Sequence, residues 1–216
     1  MPADQAAGLR RRGDRQPLHC VHCFSDFADS SVQLVHALHR LGQASLLVDV
    51  QGRLFADSPT RSLFDWRQQV GRGQLQFLPQ TYGDGWFAPG ARADEPVLRK
   101  AAQGYDHVVF DVGWLGHELT LMPGPAAQTV VMVIQRSDES MRRAYALLKT
   151  LSRLEDMLSV GLLGDRMACD HVATACRHFL EPRFARAVFS VAHEDDAIAV
   201  LAVRMGAKEA SLRLVI

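Results

Sequence analysis

Short runs of valine, isoleucine, leucine and phenylalanine recur along this chain between longer stretches of helical period, and this alternation restricts the fold more than any other feature. The runs fall at residues 18–24, 44–50, 75–78, 107–112, 129–134, 158–163 and 187–191. Several are apolar at consecutive positions instead of at every second one, the pattern of strands covered on both faces. Strands of that kind belong to a sheet with helices on either side. The expected fold class is therefore α/β, with a mostly parallel central sheet flanked by helices.

The intervening helices are legible from their period. Leu34, Val35, Leu38 and Leu41 repeat at helical spacing, with Gln33, His36, His39 and Arg40 on the other side and Gly42 placed to end the helix. Met141, Tyr145, Leu148 and Leu151 mark a second helix, and Ser137-Asp138-Glu139 ahead of it supplies capping groups. Residues 170–179 and 195–203 read as two more. Residues 81–95, which include Gly83, Gly85, Pro89 and Gly90, form the longest loop-like stretch.

At 216 residues the chain suits one core and a short tail rather than two full domains. Lys plus Arg equals Asp plus Glu at 24 each, so no global field draws the protein to nucleic acid or anionic lipid. No apolar run approaches the ~20 residues that span a bilayer, and residues 1–17 are too polar for a signal-peptide core. A cytoplasmic location is expected. The final Leu212-Arg213-Leu214-Val215-Ile216 is too short for a stable lipid-binding helix, so membrane binding is expected to be weak or absent.

Cys20, Cys23, Cys169 and Cys176 are too few and scattered for a secreted disulfide scaffold, and free thiols are expected. His19-Cys20-Val21-His22-Cys23 contains good zinc ligands, but a strand sends His19 and Cys23 to one face and Cys20 and His22 to the other. Cys169 and Cys176 fall on one apolar helix face with Val172 and Phe179, the arrangement of packed thiols. No metal site is expected. Trp66, Trp86 and Trp114 read as core or loop anchors, and Trp86, among glycines, also suits an exposed partner contact.

Residues 1–17 stand apart from the domain at 18–216. They carry no strand signal but a basic cluster of Arg10, Arg11, Arg12 and Arg15. Asp4 is placed to cap a short helix over residues 5–12, on which Gln5, Gly8 and Leu9 are neighbours. Two or three turns are marginal alone in water, and Gly8 costs about 1 kcal/mol relative to alanine. The arm is expected to order only on a partner. Arg10 to Arg12 suit either steering towards an acidic surface or ordinary solvation.

The arm's Asp4-Gln5-Ala6-Ala7-Gly8-Leu9-Arg10 resembles the DQAxGLR element that opens the FlhG or FleN family of MinD-like flagellar-number regulators. Further along, Leu46-Leu47-Val48-Asp49 resembles that family's LLLD strand, and Tyr105 to Gly113 its YDYVLVDTG strand. Val131-Met132-Val133-Ile134 and Tyr145-Ala146-Leu147-Leu148-Lys149 are similar to its VVVT strand and DAYALIK helix. The resemblance also takes in Phe179-Leu180 and Val191 to Asp196, and so covers nearly the whole chain. It implies a MinD/ParA-like P-loop NTPase fold. It further implies that Asp4, Gln5, Ala6, Gly8, Leu9 and Arg10 dock on FlhF, a GTPase of the signal-recognition-particle type, and stimulate its hydrolysis. The flagellar C-ring or a transcription activator would be further partners, and the cell pole or flagellar base the place of recruitment.

One departure from the family governs the functional reading. Where its ATPases carry GKGGVGKT, this chain has Phe24-Ser25-Asp26-Phe27-Ala28-Asp29-Ser30-Ser31, with no glycine and no lysine. A phosphate loop needs glycines to curl backbone N–H groups around phosphates, a lysine for their charge and a hydroxyl for Mg²⁺. Asp26 and Asp29 would instead oppose a polyphosphate by on the order of several kcal/mol. Asp26, Phe27, Ala28 and Asp29, with Asp49 and the Walker B-like Asp111, are read as a degenerate nucleotide site. ATP and Mg²⁺ binding is expected to be lost, leaving a pseudo-ATPase that activates a partner GTPase. Two rivals stand beside it: a divergent ATPase with an unrecognised loop, and a non-flagellar interaction protein of the cellulose-synthesis-regulator type.

Overall fold

The computed structural model describes residues 19–27, 29–49, 76–79, 105–114, 127–154 and 158–213, with side chains described at all of these except 48–49, 76–79 and 206–213. The arm at 1–17, the loop-like stretch 81–95, Trp66 and Trp86 lie outside the described residues. Strands are β1 (His19–Phe24), β2 (Ser45–Asp49), β3 (Gln76–Pro79), β4 (His107–Asp111), β5 (Ala127–Ile134), β6 (Leu158–Gly164) and β7 (Val188–Ser190). Helices are α1 (Asp29–Arg40), α2 (Asp138–Leu151), α3 (Arg166–Phe179), α4 (Pro182–Ala185) and α5 (Ala197–Arg213).

The seven strands form one sheet in the order β3-β2-β4-β1-β5-β6-β7. Every pairing among these described strands is parallel, as expected of a parallel sheet between helices. All six residues of β1 and all five of β4 are buried, as the consecutive apolar runs require. Alternation then assigns each strand residue to one of two cores. Val21, Cys23, Val109, Val131 and Leu163 face α1 and α5, packing with Leu34, Val35, Leu38, Leu201 and Met205. Phe24, Val130, Met132, Ile134, Val160 and Leu162 face α2 and α3, packing with Ala144, Leu148, Cys169, Val172 and Cys176.

Helix ends follow their local chemistry. Ser137 caps α2, its side chain accepting from the Ser140 N–H, and Gly42, at φ 74°, turns the chain away after α1. Helix α3 starts at Arg166 rather than at 170 because Asp165 caps it, accepting from the Ala168 N–H at 2.9 Å. Two apolar assignments need correcting. Leu41 follows the last residue of α1, is off the helical stripe and is 45% exposed. Phe179 is 77% exposed: it is the last residue of α3, and the face that buries Cys169, Val172 and Cys176 stops short of it.

Histidines of β1 are built into both faces. On one, His19 Nε2 bonds Thr129 Oγ1 at 2.9 Å, and Thr129 continues to Ser159 at 3.1 Å. On the other, His22 donates to Gln128 Oε1 at 3.2 Å and stacks on Phe110. Burial pushes the His22 imidazole from 6.5 down to about 4; nearby His19 lowers it further, and the Gln128 bond opposes the shift. The native state therefore holds His22 neutral, while the unfolded chain takes up a proton below about 6.5. Its stabilising contribution is complete above that pH and falls as the pH drops towards 4, by roughly 3 kcal/mol in all. Urea unfolding between pH 7 and 4.5 should show the wild type losing stability relative to His22→Leu. Parallel profiles would contradict the assignment.

Candidate functional site

The strand order singles out one place on the sheet. From β1 the chain runs through α1 to β2 on one side, whereas from β5 it runs through α2 to β6 on the other side, with α1 and α2 on opposite faces. Adjacent strands whose connections diverge leave a crevice at their carboxyl ends, where open α/β sheets bind ligands. Residues 25–27 after β1 and 135–137 after β5 form its walls.

Below the crevice, Ser31 in the first turn of α1 donates its hydroxyl to Asp111 Oδ1 at the end of β4, 3.0 Å away. Both residues are fully buried. The loop above folds on itself: Ser25 Oγ accepts from the Phe27 N–H at 2.9 Å and bonds Ser30 Oγ at 2.9 Å, while the Ser30 N–H donates to the Phe27 carbonyl. Two backbone donors of the loop are thus satisfied within it. Phe27 points outward, 55% exposed.

Across the crevice, Asp26 Oδ2 accepts from Gln135 Nε2 and from Arg143 Nη2, each at 2.8 Å. The Arg143 guanidinium also lies over the Trp114 ring, 5.3 Å from its centroid, and Trp114 packs on Phe24. Read from the sequence, Asp26 was a bare negative charge facing the site. In the structure its charge is paired with Arg143, so the repulsion expected from it is largely cancelled. Asp29 stands in the first turn of α1, where the helix dipole favours an acid.

Of the residues singled out earlier, Asp26, Phe27, Asp29 and Asp111 meet at this edge. Asp49 ends β2 as the register neighbour of Asp111, its side chain outside the described residues, as is all of Ala28. Asp4, Gln5, Ala6, Gly8, Leu9 and Arg10 also lie outside them. Ser31, Gln135 and Arg143 were missed. Ser31 was within reach, since a hydroxyl in the first turn after a strand is what a phosphate loop uses to hold Mg²⁺. Gln135 and Arg143 meet Asp26 from 109 and 117 residues away, and no local pattern announces that.

The thiols lie elsewhere. Burial pushes Cys20 and Cys169 up to about 12 and Cys176 up to about 11, far from the range of a reactive thiolate. Among the described residues no group of three or more His, Cys, Asp or Glu side chains is placed to hold a metal. Nor is any described helix long and apolar enough to cross a membrane.

No protein-family model matches the sequence, and no curated protein does. Solved structures match the fold over nearly the whole chain. MinD cell division protein from Aquifex aeolicus aligns with a TM-score of 0.54 at 15% identity, covering 89% of this chain and 97% of that one. A ParA family ATPase from Chlorobium tepidum aligns at 0.50 and 16% identity, covering 87% and 91%. The protein thus has the MinD/ParA-like α/β architecture of P-loop NTPases.

The buried Ser31–Asp111 bond ties the start of α1 to the end of β4. Hydrogen bonds to charged groups contribute about 1.5–3 kcal/mol. Ser31→Ala should lower unfolding free energy by about that much in urea titration, whereas a loss under about 0.5 kcal/mol would show that Asp111 does not depend on the hydroxyl.

Proposed function

We propose that this protein is a regulator of flagellar number or placement that stimulates an FlhF-like GTPase through its N-terminal segment, with its MinD-like body no longer binding ATP. The observation that carries the reading is Asp4-Gln5-Ala6-Ala7-Gly8-Leu9-Arg10 standing ahead of a MinD/ParA-like sheet. The motif supports the partner part of the reading, and the fold match supports the MinD-like body. Gln5 is the residue assigned to the partner's nucleotide, where a glutamine orients the attacking water. In the proposed complex Asp4 caps the motif's helix, Gly8 and Leu9 form its docking face, and Arg10 meets the partner's acidic surface.

Loss of the body's own ATP site is supported by the loop chemistry. Residues 24–31 lack glycine and lysine, and the N–H groups of Phe27 and Ser30 are already engaged. On this reading the body is not itself an enzyme. It presents the arm at a place set by its other contacts, with the flagellar C-ring or a transcription activator as further partners.

The test is GTP turnover by an FlhF-like GTPase with full-length protein, with Gln5→Ala, and with a peptide of residues 1–12. Wild type and peptide should stimulate turnover, and Gln5→Ala should lose on the order of tenfold or more of the effect. Full stimulation by Gln5→Ala would remove Gln5 from its role, and an inert wild type would end the proposal.

A second reading, a divergent ATPase, is favoured by one observation. Ser31 and Asp111 are the residue types that hold Mg²⁺ beside a nucleotide, and they are in contact. Calorimetry with ATP and Mg²⁺ separates the two: the first reading expects no heat of binding at micromolar protein, and saturable micromolar binding would establish the second.

A further inference from the structure

The crevice between the ends of β1 and β5 is bridged by the protein's own carboxylate. Asp26 reaches from the loop after β1 to the Gln135 amide after β5 and to the Arg143 guanidinium on α2. Its partners are the chemistry of an oxyanion receptor: a planar cation with five N–H donors and a neutral amide donor, both within 2.8 Å of one oxygen. Gln135 precedes the Ser137 cap of α2, so the helix's positive end adds to the field there.

The receptor is held in place independently of the carboxylate. Arg143 lies over Trp114, and Trp114 packs on the buried Phe24 at the end of β1. Cation–π stacking and this packing restrain the guanidinium. Arg143 also has donor capacity to spare, because its buried Nε has no acceptor among the described residues, and neither does the neighbouring Trp114 Nε1. A tetrahedral oxyanion offers more acceptor oxygens than the single Asp26 oxygen now engaged.

We propose that Gln135 and Arg143 form a binding site for a phosphate-type oxyanion at the sheet's switch point, and that Asp26 is its built-in competing ligand, keeping the site filled and the β1 and β5 loops tied together. This rests on the reading above that the body has no triphosphate of its own. It adds how the vacated position is filled. An intramolecular carboxylate competes at a high effective concentration, so an external anion in the wild type must displace a tethered rival. Removing Asp26 removes that competitor and leaves a pre-oriented cation.

Inorganic phosphate is titrated at low ionic strength into full-length wild type, Asp26→Ala, Asp26→Asn and Asp26→Ala/Arg143→Ala, with binding read by calorimetry and folding by circular dichroism. Asp26→Ala should bind phosphate at least about tenfold more tightly than wild type, and the gain should vanish in the double variant. Asp26→Asn, which keeps the side chain's size and polarity, should gain in the same direction and serves as the probe if the alanine variant fails to fold. A folded Asp26 variant with no gain would make the bridge structural only and overturn the proposal. So would a gain that survives Arg143→Ala. ATP and Mg²⁺ binding to the wild type tests the underlying reading separately, because phosphate uptake by the variants does not depend on the partner GTPase.

Discussion

Burial of β1 on both faces is the constraint on which the remaining structure hangs. Its backbone pairs with β4 on one side and β5 on the other, so its N–H and C=O groups are satisfied within the sheet. Its side chains must then be accepted by two separate cores, one under α1 and α5 and one under α2 and α3. Residues alternating along six positions serve different cores, and even the histidines obey this, with His19 bonded to Thr129 and His22 to Gln128. Each imidazole is tied to a neighbouring strand through its Nε2, which offsets part of the cost of burying a polar ring.

The same central position creates the candidate site. Because β1 and β5 are adjacent and send their connections to opposite faces, their ends are held apart, and no element among the described residues covers them. In related architectures such a crevice receives a ligand. Here the facing groups belong to the chain itself, Asp26 against Gln135 and Arg143, above a buried Ser31–Asp111 contact. The contrast between the two layers is chemical. The lower holds a hydroxyl and a carboxylate, residue types that suit a magnesium ion, whereas the upper is a compact, self-bonded turn.

On the proposed reading the body serves as a platform, and the Asp26 bridge is an internal bond that ties the connection after β1 to the one after β5. The proposed regulatory activity resides in the N-terminal motif, and on that reading the sheet sets where the motif is offered. Phe27, exposed at the same edge, gives the loop an apolar tip that no described element covers.

The strands and the main helices were legible because burial on two faces leaves consecutive apolar residues, and a helix packed on a sheet leaves a 3.6-residue stripe. Ser137 ahead of α2 and Gly42 after α1 announced their roles through chemistry that acts within a few residues. Asp26 and Asp29 flanking the turn after β1, and Asp111 at a strand end, were equally visible. What the sequence withheld was the pairing of Asp26 with Arg143, the stacking of Arg143 on Trp114 and the exposure of Phe179. Each depends on which strands become neighbours and on where a helix end meets the sheet, and strand order is decided by packing among segments more than a hundred residues apart, not by any local preference.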